Sequence, residues 1–154
     1  MPVFKFIANM NTKRRFTNLE QNQNEALIDA LAATKVIDGE LHPAEAAELL
    51  ESMKMLKWEG GVTLERYIQS AVDRGFQLEA DPAMLEGYFS DISQRLGIDW
   101  LRQETYYMAA RITLADEEVV EEERLFLESM VKAFEIPGET QALIIRKIRE
   151  EIWN

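Results

Sequence analysis

The sequence predicts an all-α fold: one compact bundle of about seven helices over residues 1–154. Three observations carry this. Apolar residues recur at helical spacing through most of the chain. Glycine, proline and aspartate punctuate it at intervals that leave helix-length segments between them. Strand-like alternation is confined to "PVFKFIA" near the start, part of an expected N-terminal arm over residues 1–16. The connections are short, as in helical bundles.

Each element has its own signals. Thr17 with Glu20 reads as a capping box, opening a helix that runs to about Val36, with Leu19, Ala26, Leu27, Ala30 and Leu31 at helical spacing. "DGELHP" breaks it, and Pro43 suits the first turn of a second helix. There Ala46, Leu49, Leu50, Met53 and Leu56 form one stripe, and "EGG" ends the helix near Gly60. Thr63 caps a third helix that stops at Gly75. Asp81 and Pro82 open a fourth, ending at Gly97. Gly75 and Gly97 both read as left-handed C-terminal caps, each followed by an apolar residue, Phe76 and Ile98. Asp99 caps a fifth helix reaching about Leu114. The sixth carries Leu127, Met130, Val131 and Phe134 on one face, "IPGET" interrupts it, and a seventh runs to the C-terminus.

Composition narrows the function classes. Hydrophobic residues make up 47% of the chain and charged residues 29%, a globular balance. The absence of cysteine excludes disulfides, thiolate metal sites and cysteine nucleophiles, and fits a cytoplasmic location. A net charge of -11 repels nucleic-acid phosphates and favours cations or a protein partner with a basic surface. No apolar run has the length of an integral membrane segment, and "MPVFKFIANMNTKRRF" does not read as a signal peptide.

A shift of 78 positions aligns the chain with itself. Asp38 meets Asp116, Glu40 meets Glu118, and Glu45 meets Glu123. Leu49 meets Leu127, Met53 meets Val131, Leu56 meets Phe134, and Gly60 meets Gly138. The expected organisation is two helical repeats, about 17–75 and 98–154, joined by a helix at about 82–96. Such halves pack face to face to bury their apolar stripes, which would set their equivalent turns side by side.

Those turns are the candidate site. "LADEEVVEEERLFL" (114–127) holds six carboxylates within eight positions. Capping accounts for acids in a first helical turn, where the dipole favours them. It gives no reason for Asp38 and Asp116, which precede the helices. The alternative is metal ligation by Asp38, Glu45, Asp116 and Glu123, with Glu40 and Glu118 as secondary ligands. Four carboxylates in one place need a cation or proton between them, and an all-oxygen set suits calcium, magnesium or manganese. An EF-hand is rejected: "DGELHPAE" imitates the second half of that loop, but its first acidic positions hold Thr34 and Val36, and Ile112 and Leu114 in the other copy.

"VIDGELHPAEAAEL" and "LADEEVVEEERLFL" resemble the recurring motif of the TerB-like family, the tellurite-resistance helical domain. The likeness in repeat and helix order extends from about Thr17 to the C-terminus. Ile37 stands where the motif has a small residue, and Glu117 where it has glycine. The resemblance implies an all-α bundle with an acidic, divalent-metal-binding site, associated with tellurite resistance, stress response and scaffolding near membranes. By position that site is Asp38, Glu45, Asp116 and Glu123.

Other features favour structural roles. His42 and the "KRR" at Lys13 to Arg15 read as surface residues rather than a ligand or an anion site. "TYYMAAR" reads as core, and the methionines as gap fillers. The last helix, with Leu143, Ile145, Ile148, Ile152 and Trp153, favours core packing over peripheral membrane association. No nucleophile elbow, phosphate loop or zinc motif is present. The expected function is a non-enzymatic protein binding a divalent metal through its acidic turns. The alternatives are a metal-independent adaptor and, less favoured, a metal-dependent hydrolase.

Overall fold

The computed structural model describes residues 16–37, 39–79, 81–115 and 119–153. Seven α-helices run through them: α1 (Gln21–Val36), α2 (Pro43–Met53), α3 (Leu64–Gln77), α4 (Pro82–Leu96), α5 (Asp99–Leu114), α6 (Glu121–Ala133) and α7 (Gly138–Trp153). No strand occurs among the described residues, and no described helix is long and apolar enough to cross a membrane.

α1 is the axle. Its sequence from Ala26 to Val36, "ALIDALAATKV", is rich in alanine and short of large polar groups, and every residue in it is buried. A helix buried on all sides needs neighbours on all sides, and α2, α3, α4 and α5 pack against it. The small residues set the approach distance. A Cβ added to Gly75 of α3 would lie 2.7 Å from the Val36 side chain and 3.0 Å from the Ala33 Cα. Gly75 therefore serves helix packing, not termination. It lacks the left-handed conformation expected of a C-cap, and α3 continues through it to Gln77.

Other boundaries also differ from expectation. The Thr17–Glu20 capping box gives way to one built three residues on. Glu20 is the N-cap of α1, and its N–H donates to Gln23 Oε1 at 2.9 Å. Gln23 also donates from Nε2 to the Leu96 carbonyl (2.9 Å), tying the start of α1 to the end of α4. α2 ends at Met53, well before Gly60. Gly60 instead lets the loop press on Trp58 and Gln21, each 2.9 Å from an added Cβ. Asp99 is the first residue of α5, with Ile98 as the cap. Thr63, Asp81 and Gly97 act as expected, Gly97 at φ +76°. α6 closes in a Schellman motif: Ile136 N–H donates to Val131 O (3.1 Å) and Glu135 N–H to Lys132 O (3.2 Å). This puts Glu135, a non-glycine residue, at φ 54°.

α4 spans the two halves, packing on α1 and on α6. Its Phe89 meets Phe126 edge-on at 4.9 Å and Phe134 at 6.1 Å, a geometry that adds about 0.5–1.5 kcal/mol per pair beyond area burial. α5 packs on α1, α6 and α7, with Thr105 to Arg111 buried without interruption, so "TYYMAAR" is core as read. Phe16, assigned to the arm, is fully buried with its ring 5.8 Å from that of Trp100. The rest of the expected arm, residues 1–15, lies outside the described residues. α7 is the least enclosed helix of this half: Ile148 is buried, but Leu143 is 64% exposed.

Two glycines give opposite expectations. Gly75→Ala collides with backbone and should destabilise by about 1–3 kcal/mol. Gly87, in the exposed middle of α4, has nothing within 4 Å of an added Cβ. Gly87→Ala should therefore stabilise by up to ~1 kcal/mol through helix propensity alone. Urea unfolding midpoints of the two variants should move in opposite directions. Midpoints moving together would contradict the α1–α3 contact.

Candidate functional site

The helices after the two acidic turns start in the same way. α2 follows His42 and α6 follows Val120, both extended cap residues without a side-chain acceptor bond. Glu45 and Glu123 each occupy the third helical position. There a carboxylate can fold back on the cap N–H, and Glu123 does so: its Oε1 accepts from the Val120 N–H at 3.1 Å, with 8% of the residue exposed. Glu45 is half-buried, while Glu40 and His42 are exposed.

The three glutamates that open α6 have different surroundings. Glu121 and Arg124 are hydrogen-bonded, and Arg124 also reaches Glu128 at 2.6 Å. That hydrogen bond from Arg124 holds the exposed Glu121 carboxyl below its usual range. Glu122 faces solvent, and Glu123 is the cap ligand. Part of the acidic run is therefore ordinary helix-start chemistry, favoured by the dipole.

Asp38, Asp116 and Glu118 lie outside the described residues, as does Glu117. Among the described residues no three His, Asp or Glu side chains gather into a group that could hold a metal ion. Of the expected ligands, Glu40, Glu45 and Glu123 are placed, on the first turns of α2 and α6 or just before them.

Sequence reasoning missed a second polar cluster. Asp29, in the middle of α1, has a side chain only 5% exposed. Arg74 of α3 reaches its Oδ1 at 2.6 Å and Arg95 of α4 its Oδ2 at 2.7 Å. The Tyr67 hydroxyl donates to Oδ1 at 2.9 Å, and the Tyr88 hydroxyl to the Asp29 carbonyl at 3.3 Å. Arg95 also holds Asp91 at 3.0 Å, and Arg74 lies over the Tyr67 ring at 5.3 Å. One carboxylate thus fastens α3 and α4 to α1. The signal was present: a lone acid inside an apolar helical run, which must find cationic partners or leave the interior.

The other half has a smaller counterpart between α5 and α7. The Tyr107 hydroxyl donates to Glu151, and Arg111 Nε lies 3.7 Å from the second oxygen of the same carboxylate. Lys147 sits over the Tyr107 ring at 4.9 Å.

All four tyrosines are pushed above their ordinary pKa near 10, with burial the largest cause at each. The Asp29 charge adds to the shift at Tyr67 and Tyr88, and the Glu151 hydrogen bond at Tyr107.

Compared with known proteins, the chain matches no family model, no curated sequence and no solved structure.

Two expectations follow from the clusters. Asp29→Asn removes the charge that two arginines hold, and breaking a buried pair costs ~3–5 kcal/mol. The loss should lie near ~3 kcal/mol, because Arg74, 43% exposed, regains solvent. A urea midpoint unchanged in Asp29→Asn would rule out the fastening role. For the tyrosines, a phenol with a folded pKa above its unfolded one stabilises the fold fully below about pH 10, and that contribution is lost as pH rises through the folded pKa. Stability should therefore fall progressively above about pH 10, and phenolate absorbance should rise together with loss of helical circular dichroism. Phenolate appearing near pH 10 with helicity intact would contradict the burial of the hydroxyls.

Proposed function

We propose that this chain is a TerB-like, non-enzymatic protein that binds a divalent cation through its two acidic turns. One observation carries the reading. α1 and α5 start at residues 21 and 99 and end at 36 and 114, while α2 and α6 start at 43 and 121, an offset of 78 throughout. The offset that aligns the acidic motifs is thus also the offset of the helix ends around them. Glu45 and Glu123 take the same helical position, and in the sequence Asp38 and Asp116 each come two residues after the preceding helix end.

Packing supports convergence of the turns. The Gln23–Leu96 bond sets the first turn of α1 beside the chain that enters α5, and α1 and α5 pack on one another. Helices that begin together and pack together end on the same side of a bundle, and the acidic turns follow those ends. The donors Asp38, Glu45, Asp116 and Glu123, with Glu40 and Glu118 beside them, are all hard oxygens, which fits calcium, magnesium or manganese. Glu123 would contribute the carboxylate that already caps α6. In this reading the metal balances clustered negative charge and fixes the two turns relative to each other, as suits a protein of the stress response rather than a catalyst.

A second reading is a metal-independent adaptor whose acidic face meets a basic partner. It is favoured by the involvement of Glu121 and Glu123 in helix-start bonds that need no ion.

Thermal melts separate the two. Calcium, magnesium or manganese at 100 times its dissociation constant should add ~2.7 kcal/mol of stability over the chelated protein. Asp116→Asn with Glu123→Gln should abolish that gain. Glutamine keeps an oxygen for the Val120 N–H, so the metal-free melt should hardly change. A melt that no metal moves would leave the adaptor reading standing.

A further inference from the structure

α1 is packed by α2, α3, α4 and α5. Under the 78-residue offset the counterpart of α1 is α5, and those of α2 and α3 are α6 and α7. α6, α7 and α1 all pack on α5. The neighbour left to match is α4, whose counterpart is residues 4–18. The same segment is called for at α2. Its counterpart α6 packs on α5 and α4, so α2, which packs on α1, should also meet the counterpart of α4. Of the eleven residues of α2 only Leu49 and Met53 are buried, as suits a helix whose second neighbour lies outside the described residues.

The described end of that segment is already seated. Phe16 is helical, Thr17 and Asn18 turn, and the buried Phe16 ring stands edge-on to Trp100 at 5.8 Å. Trp100 lies in the first turn of α5, just as Gln23, which holds the Leu96 carbonyl at the end of α4, lies in the first turn of α1. From that tie α4 runs back along α1 to Asp29, where Arg95 and Tyr88 bond. A segment running back from Phe16 in the same way passes Tyr107, which stands in the place of Asp29. The chain before Phe16 has residues for such a contact: Val3, Phe6, Ile7 and Met10 fall at i, i+3, i+4 and i+7. Its fasteners would be weaker than those of α4. Where Phe89 meets Phe126, the counterparts are Asn11 and the half-buried Glu48, and where Arg95 meets Asp29 they are Thr17 and Tyr107.

We propose that residues 4–15 of this chain dock as a strap between α5 and α2, in the place that α4 takes between α1 and α6. The strap holds α2 against the bundle from the side opposite its own loop connections. It does not depend on cation binding, whose test is the metal-dependent melt.

The test uses the full chain with a nitroxide on Asn9→Cys, the single thiol in a protein without cysteine. The counterpart of Asn9 is Gly87, exposed on α4 with nothing within 4 Å of an added Cβ, so a label at that place should leave the packing intact. In amide nuclear magnetic resonance spectra, the nitroxide should broaden α2 and α5 strongly and α6, the counterpart of α2, much less. Reducing the nitroxide should restore the lost signals. A second sample mixes isotope-labelled chain without nitroxide and unlabelled chain carrying it, and its amides should keep their full intensity. Equal broadening of α2 and α6, or none in either, would overturn the proposal. Broadening of α2 and α5 in the mixed sample would also overturn it, because the segment would then dock on a second copy of the chain.

Discussion

The structure hangs on one buried carboxylate. Asp29 sits midway along the most enclosed helix and draws Arg74 and Arg95 inward from two different neighbours. An isolated carboxylate there would cost far more than any nearby apolar contact returns. With two guanidinium groups and a phenol hydroxyl on its oxygens, the same charge becomes a geometric requirement: α3 and α4 satisfy it in one rotation and one register. Such an arrangement adds little net stability over a well-packed apolar core, but breaking it is costly. Its contribution is therefore to specify how three helices meet.

That constraint shapes the two halves differently. The Asp29 cluster and the Gly75 approach draw α3 tightly onto α1. Position 107, which the 78-residue offset pairs with Asp29, holds a tyrosine bonded to Glu151 of α7. α7 is correspondingly less enclosed, with Ile148 its buried anchor. α4, tied to α1 by Arg95 and to α6 by Phe89, carries the first half's polar clamp on one side and the second half's aromatic core on the other.

The helical architecture was legible because it rests on local rules. Thr63, Asp81, Pro82, Pro43 and Gly97 each do what their chemistry allows at a helix end. Gly75 misled because a glycine that ends a helix and one that admits a neighbour look alike in sequence; only the partner, Ala33, distinguishes them. Thr17–Glu20 misled because Glu20 with Gln23 offers a competing cap. Asp29 stood out as a lone acid in an apolar run, but its partners, 45 and 66 positions away, leave no local trace of which cations hold it. In the acidic turns the sequence showed composition and spacing. What it did not show was the division of labour among Glu121, Glu122 and Glu123, which depends on the side Arg124 faces.

The unbroken burial of α1 has a kinetic corollary. Its amides from Ala26 to Val36 are covered by four other helices, so no small, local fluctuation can expose them to solvent. Deuterium should enter this stretch last, at a rate set by opening of the whole domain, while α2 and α7 exchange through partial openings of their own. The central segment would then report global stability at single-residue resolution, and any ligand that stabilises the folded protein would slow exchange there.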